Sequence, residues 1–172
     1  MTIIRQETPF DIAAIHDANK QAFDGREAEA GLVDAIRKSE NFISELSLVA
    51  EENGQILGHI LFSRIYIETE NGQLPALALA PMAVLPKYQK QGIGSMLVRQ
   101  GLDECKRLGH MIVIVLGHPT YYPRFGFSAQ LAKPLECPYG DCGEAWMAVE
   151  LIPGALQGMR GKVVYPAAFN GV

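Results

Sequence analysis

The 172-residue sequence lacks the features that mark a membrane or exported protein. Its longest aliphatic stretch covers residues 111–116, far short of the roughly 20 residues that span a bilayer. Its amino terminus shows no basic segment followed by an apolar run, so we expect a chain that is not secreted. These absences predict a soluble protein without a membrane partner.

Positive charge is also scarce in this sequence. It contains 15 Lys and Arg against 19 Asp and Glu, which gives a formal net charge of -4. Such a chain has no general positive field that would attract nucleic acid. We therefore expect no nucleic-acid partner, and an anionic ligand must be held by a local site.

Cysteine is the third scarce residue type, with three in the chain. Any disulfide would leave one of them unpaired, and we expect a reducing, cytoplasmic location. Cys137 and Cys142 have no second Cys/His pair at ligand spacing, so we expect no metal, and nothing in their spacing indicates a redox role. Cys105 lies on the apolar stripe of a predicted helix, where it is typical of a small core residue.

The sequence does contain one continuous block of core-forming residues. Its hydrophobic fraction is 48%, and neither an internal repeat nor a flexible linker divides it. We therefore expect a single domain over residues 1–172. Periodicity, caps and turns predict strands at 2–5, 48–50, 56–67, 74–85, 111–116 and 146–151, and helices after Thr8-Pro9-x-Asp11, at 27–38 and at 91–108.

Two residues predict irregular packing in this arrangement. Pro81 cannot donate to a strand ladder, so it indicates a bulge or a place where neighbouring strands part and leave backbone groups free. Gly101 lies on the apolar stripe of the helix at 91–108 and lets that helix approach the sheet closely. Because this helix connects strands 74–85 and 111–116, the two strands are predicted to be parallel.

The segment 82–95 carries the clearest chemical pattern, because a strand leads through a short glycine-containing loop into a helix. Gly92 and Gly94 allow a tight turn, so the free N–H groups of the first helical turn can face a phosphate. Lys87 and Lys90 add positive charge. The pattern lacks the Gly-Lys-Ser/Thr of a P-loop, and Leu97 replaces the third glycine of a dinucleotide fingerprint. Two glycines alone fit a simple turn equally well.

The hexapeptide Gln89-Lys90-Gln91-Gly92-Ile93-Gly94 resembles the Gln/Arg-x-x-Gly-x-Gly/Ala motif of the GNAT superfamily of N-acetyltransferases. The order of elements over residues 2–130 is similar to the core of that superfamily. Residues 116–127 further resemble a YhbS-like branch of predicted bacterial acetyltransferases. The resemblance implies an α/β fold with a mixed sheet, flanking helices and splayed central strands, and it leaves residues 131–172 as a substrate-related or oligomer-related segment.

By this resemblance the chain is an N-acetyltransferase that uses acetyl-coenzyme A (acetyl-CoA) as cosubstrate and needs no metal. Its partners would be coenzyme A (CoA) and a primary amine, and a homodimer is among the states that the resemblance allows. The pantetheine arm maps onto the strand residues Met82, Ala83 and Val84. The pyrophosphate maps onto Lys90, Gln91, Gly92, Ile93, Gly94 and Ser95.

The resemblance also implies direct transfer without an acyl-enzyme. The tetrahedral intermediate needs a donor at its oxyanion, and a backbone N–H freed by the predicted bulge, that of Val84, suits this role. A tyrosine after the strand that follows the motif helix would protonate the leaving thiolate. Tyr122 is the preferred match and Tyr121 the second, although either one equally fits ordinary aromatic packing.

The base that accepts the proton of the amine stays open at this stage, because Glu27, Glu29, His118 or an ordered water could serve. Two other functions also stay open. One is a non-catalytic sensor that binds acyl-CoA without using it, and the other is a nucleotide-binding protein.

Overall fold

The computed structural model describes residues 1–172, with four α-helices and eight strands. The helices are α1 (Ile12–Ala22), α2 (Ala28–Arg37), α3 (Ile93–Arg107) and α4 (Ala129–Ala132). The strands are β1 (Ile3–Gln6), β2 (Ser47–Glu52), β3 (Gln55–Thr69), β4 (Gly72–Val84), β5 (Ile112–Leu116), β6 (Leu135–Glu136), β7 (Trp146–Glu150) and β8 (Gly161–Val164). None of the helices is both long enough and apolar enough to cross a membrane.

The predicted elements are present, with ends that differ by a few residues. The hairpin turn between β2 and β3 has positive φ at both Asn53 (52°) and Gly54 (79°), as a type I′ turn requires. Gly109 ends α3 with φ of 90° and donates its N–H to the carbonyl of Lys106. Two short strands were not predicted, β6 with two residues and β8 with four.

The strands form a mixed sheet in the order β1-β2-β3-β4-β5-β7, with β8 paired to β3 and β6 to β8. Strands β4 and β5 are parallel, through the pairs Leu77 with Val113 and Ala78 with Ile114, as the helix between them predicted. Strand β7 pairs antiparallel with β5, and β1 and β3 pair antiparallel with β2. The mixed sheet with its intervening helices confirms the predicted α/β class.

The chain packs into two compact units. The first unit contains residues 1–63, 80–104 and 166–172, and the second contains residues 64–79 and 105–165. Strands β3 and β4 therefore contribute residues to both.

In the first unit, α3 packs closely against β3. Gly101 is buried on α3, and a Cβ built there would overlap the ring of Phe62, which is fully buried on β3. Close approach at this helical glycine was predicted, and Phe62 is the side chain that occupies the space. Ile93, Leu97 and Val98 extend the buried face of the helix.

A line of hydrogen-bonded polar side chains also crosses the first unit. Arg37 donates to both carboxylate oxygens of Glu7, at 3.1 and 2.9 Å, and Glu7 accepts from the Ser47 hydroxyl. The Ser47 Oγ lies 2.9 Å from His59 Nε2, and the Asn19 amide nitrogen lies 3.3 Å from His59 Nδ1. Burial lowers the pKa of His59 to about 3, so the ring is neutral. Because the Ser47 hydroxyl donates to Glu7 and the Asn19 amide nitrogen can only donate to Nδ1, the hydrogen-bond network assigns the ring proton to Nε2.

The second unit contains a feature that the sequence analysis did not predict. Cys137 and Cys142 form a disulfide that closes the loop after β6. Nothing in their spacing indicated this pairing, since it depends on how the intervening residues turn. Cys105 takes no part in this disulfide and is fully buried, as predicted for a core residue.

The Gly101 packing generates a stability prediction with a matched control. Gly101→Ala should lower the free energy of unfolding by about 1–3 kcal/mol, because overpacking against Phe62 outweighs the helix propensity of alanine. Gly31→Ala, on the exposed side of α2 with no atom within 4 Å of the new Cβ, should raise it by up to about 1 kcal/mol. Urea denaturation of both variants measures the difference, and equal shifts would contradict the close packing of α3.

Candidate active site

The loop between β4 and α3 contains two residues in left-handed backbone conformations. A short turn over Pro86–Tyr88 begins it, in which the Tyr88 N–H donates to the Leu85 carbonyl at 2.8 Å. Lys90 then has φ of 62° and Gly92 has φ of 89°. Left-handed residues turn successive N–H groups toward one side, which is the geometry of a backbone anion site.

Helix α3 opens directly on this loop. The Met96 N–H donates to the Gly92 carbonyl at 3.1 Å, so Gly92 caps the helix. The N–H groups of Ile93, Gly94 and Ser95 come before Met96, the first residue whose N–H reaches a carbonyl of the helix, so they have no acceptor within it. Unpaired N–H groups at the positive end of a helix dipole have the geometry that suits a phosphate group. No atom lies within 4 Å of the position that a Cβ on Gly92 would take, so the space beside the cap is open.

One close contact indicates the direction of the backbone at the end of β4. A Cβ on Gly58 of β3 would lie 2.9 Å from the carbonyl oxygen of Ala83, so this carbonyl points toward β3. In a trans peptide the N–H points opposite to the C=O, so the Val84 N–H is directed away from β3. This amide is the donor that the sequence analysis assigned to the oxyanion.

Gln89 is a residue to which the sequence analysis gave no role of its own. It was noted only as the first position of the motif. In the structure its side-chain amide donates to the Val84 carbonyl at 3.0 Å, across the turn that separates them. The motif indicated that a polar residue belongs there, but its partner depends on the fold of the loop.

The two candidate tyrosines lie in the second unit, in and beside a short helical turn over Tyr122–Phe125. Tyr122 is 8% exposed, and its ring packs edge-to-face against Tyr121 and Phe127, with centroids 5.1 and 5.7 Å away. Burial, followed by the neighbouring Tyr121, raises the pKa of Tyr122 to about 12. Tyr121 is half-buried and has the Arg124 guanidinium 4.8 Å from the centre of its ring.

The three candidate bases differ in their surroundings. Glu27 is 61% exposed and bound by Lys20 at 2.9 Å and His16 at 3.0 Å, and its hydrogen bond with Lys20 lowers its pKa. Glu29, in the first turn of α2, is only 18% exposed, and its Oε2 is buried without a hydrogen-bond partner. Its Oε1 lies 3.5 Å from the exposed Arg26. Of these two glutamates, Glu29 therefore has an oxygen that can still accept a hydrogen bond.

His118 lies in the second unit at the exposed start of the tyrosine turn. Its backbone carbonyl accepts from the N–H groups of Tyr121 and Tyr122, at 3.1 and 3.4 Å. The residue therefore has a turn-forming role through its backbone, as is common for a loop histidine beside a proline.

A helix that begins with unpaired N–H groups next to the end of β4, in a mixed α/β sheet, is the arrangement that the motif predicted. Comparison with known proteins gives the class of the protein. Residues 3–129 match the acetyltransferase (GNAT) domain family, so the chain belongs to the GNAT acetyltransferases. Its class among enzymes is that of the N-acetyltransferases, acyltransferases that transfer groups other than aminoacyl groups.

Similar proteins come from the branch that the sequence analysis predicted. The chain is 36% identical over 169 residues to the uncharacterized N-acetyltransferase YhbS of Escherichia coli K12, covering 98% of each chain. It is 41% identical over 117 residues to the uncharacterized N-acetyltransferase YjhQ of the same organism, covering 68% of this chain and 64% of YjhQ.

Two solved structures share the fold over nearly the whole chain. The structure of E. coli YhbS in complex with CoA has a TM-score of 0.86 and 34% identity, covering 98% of this chain and 92% of that one. A GNAT family acetyltransferase from Brucella melitensis in complex with acetyl-CoA has a TM-score of 0.81 and 34% identity, covering 99% of both chains. These comparisons confirm the predicted family and fold.

The left-handed cap of α3 generates a binding prediction. Gly92→Ala should weaken CoA binding about tenfold or more, because an alanine strained at φ of 89° relaxes and turns the N–H groups of the first helical turn away. Gly109→Ala is the matched control, since Gly109 has φ of 90° and equally open space at the other end of α3. Calorimetric titration with CoA should show a loss for Gly92→Ala alone. Equal affinities for the two variants would contradict this site.

Proposed function

We propose that this protein transfers the acetyl group of acetyl-CoA to a primary amine of a small molecule or protein, by direct attack and without a metal. The observation that carries the proposal is the pair of backbone donors in the first unit, at the start of α3 and at Val84. The complexes of YhbS with CoA and of the Brucella protein with acetyl-CoA support the choice of cosubstrate.

The proposed cofactor contacts fit the chemistry of CoA. The open space beside Gly92 and the free N–H groups after it suit a diphosphate, which needs several donors and positive charge. The backbone of the β4 end suits an amide-containing pantetheine arm, which pairs with strand-like donors and acceptors. The residues assigned to these contacts are Met82, Ala83 and Val84 for the arm, and Lys90, Gln91, Gly92, Ile93, Gly94 and Ser95 for the diphosphate.

The proposed reaction begins when a neutral amine attacks the thioester carbonyl carbon. A C–N bond forms and the carbonyl oxygen becomes an oxyanion, which accepts a hydrogen bond from the Val84 N–H. The C–S bond then breaks, the CoA thiolate takes a proton from the Tyr122 hydroxyl, and the phenolate regains a proton from solvent. Because burial raises the pKa of Tyr122, this side chain keeps its proton near neutral pH, as a proton donor must.

Glu29 is the proposed acceptor of the proton from the amine. A buried carboxylate oxygen without a hydrogen-bond partner is unfavourable in a folded protein, and a ligand that brings a donor would satisfy it. An ammonium or amine group supplies the missing donors. Glu27 is less suited, because Lys20 and His16 already use its oxygens.

We propose that residues 1–172 form one catalytic domain, in which residues 131–172 contribute to acceptor binding or to a homodimer. The E. coli and Brucella relatives support a bacterial protein, and we place the reaction in the cytoplasm, a compartment in which a disulfide such as Cys137–Cys142 is uncommon.

The function is tested by incubating the protein with acetyl-CoA and a panel of amines while free thiol is measured. The panel includes a lysine-containing peptide, spermidine and aromatic amines. Amine-dependent thiol release, with acetylated product identified by mass spectrometry, is the expected result. Tight CoA binding without thiol release would instead indicate a sensor that holds acyl-CoA, and competition by ATP or NAD would indicate a nucleotide-binding protein.

Replacement of Tyr122 tests its proposed role as proton donor. Tyr122→Phe keeps the packed ring and removes the hydroxyl, so it should lower kcat by a factor of roughly 10 to 1,000 with little change in the Kd for CoA. Tyr121→Phe distinguishes the second candidate, since a larger loss there would transfer the role to Tyr121. Wild-type turnover in both variants would remove the pair from the mechanism.

Replacement of the two glutamates tests the choice of base. Glu29→Gln should reduce kcat/KM for the amine about 100-fold, because general-base catalysis contributes on the order of 100- to 10,000-fold. Glu27→Gln, only two residues away but exposed and already paired, should change it by less than about threefold. Measurement over pH 6–10 should show the greatest loss at low pH, where the amine is protonated. Equal effects of the two variants would exclude Glu29 as the base.

A further inference from the structure

The side chain of Gln89 folds back over the loop to the end of β4. Its Nε2 donates to the Val84 carbonyl at 3.0 Å, across the turn formed by Pro86–Tyr88. This carbonyl belongs to the last residue of the strand, where regular ladder partners end. The side chain thus takes the place of a backbone donor, and it is turned toward the strand while it makes this bond.

The peptide group that joins Val84 to Leu85 is held at both of its polar atoms. Its oxygen accepts from Gln89, and its N–H donates to the carbonyl of Leu57 on β3 at 2.9 Å. A peptide group bound at both ends cannot rotate without breaking one of these bonds. The backbone after Val84 is therefore fixed relative to β3.

The peptide group before Val84 is restrained by packing. Its carbonyl, that of Ala83, lies against Gly58. A Cβ added to Gly58 would lie only 2.9 Å from the oxygen of this carbonyl. Gly58 is buried on β3, so the carbonyl has no room to turn further in that direction. Val84 is thus held on both sides, by a contact on its amino side and by the Gln89 bond on its carboxyl side.

From this geometry we propose that Gln89 is a positioning residue for the oxyanion donor. Its side chain holds Val84 so that the Val84 N–H keeps one direction, away from β3 and toward the thioester carbonyl. The inference rests on the proposed function and deepens it, because the first residue of the loop acts on the acyl end of the cosubstrate through Val84. The other residues assigned in the loop act on the diphosphate.

Three variants separate this role from general stability. Gln89→Met keeps the length of the side chain and removes the donor, and Gln89→Arg restores N–H donors at similar reach. Gln100→Met is the matched control, since Gln100 is exposed on α3 away from the loop. All three are assayed with acetyl-CoA and the most reactive amine of the panel, and each is titrated with CoA.

We expect Gln89→Met to lower kcat about tenfold, with less than a threefold change in the Kd for CoA. Such a loss corresponds to one misplaced hydrogen bond to a developing oxyanion. Hydrogen exchange at the Leu85 amide should become faster in the same variant. Gln89→Arg should recover most of both properties, and Gln100→Met should match the wild type.

An unchanged kcat in Gln89→Met, or a loss that appears in the Kd for CoA while kcat stays constant, would overturn the positioning role. The second result would assign Gln89 to the shape of the diphosphate loop. A wild-type protein that releases no thiol with any amine would contradict the proposed function, and the positioning role with it. The positioning role fails while the proposed function stands only if the wild-type protein is active and Gln89→Met gives one of the two contradicting results.

Discussion

The left-handed backbone at Gly92 is the constraint on which the proposed active site depends. It lets the chain leave the loop after β4 and enter α3 with the first helical N–H groups free. Without that turn the helix would still form, because its apolar stripe would still pack. Its amino end, however, would not present a row of donors beside the end of β4. A local backbone conformation thus gives a structural helix the geometry of the proposed anion site.

Packing fixes the orientation of that site within the first unit. Gly101 lets α3 lie directly on Phe62, and Gly58 lets the Ala83 carbonyl approach β3. Both contacts are possible because glycine has no side chain, on a helix at Gly101 and on a strand at Gly58. They hold the helix and the strand end against the same strand, β3. The donors proposed for the diphosphate and for the oxyanion are therefore both held in position relative to β3.

The proposed acid and base depend on burial in opposite ways. Burial raises the pKa of Tyr122 and keeps its proton in place. Burial of Glu29 leaves a carboxylate oxygen without a donor, which favours a ligand that brings one. The neighbouring Glu27 shows the contrast, since it is exposed and its two oxygens lie 2.9 Å from Lys20 and 3.0 Å from His16. Residue type alone does not separate these two glutamates, whereas their surroundings do.

Local sequence determined the order of the long elements, the Asn53-Gly54 turn, the glycine cap of α3 and the motif that indicates the family. These features follow from periodicity and from the φ values that glycine and asparagine tolerate, which act over a few residues. Tertiary structure decided the Cys137–Cys142 disulfide, the short strands β6 and β8, the partner of Gln89 and the distinction between Glu27 and Glu29. Each of these depends on which atoms distant segments or a folded loop bring within contact, and a single sequence does not encode those distances in any local pattern.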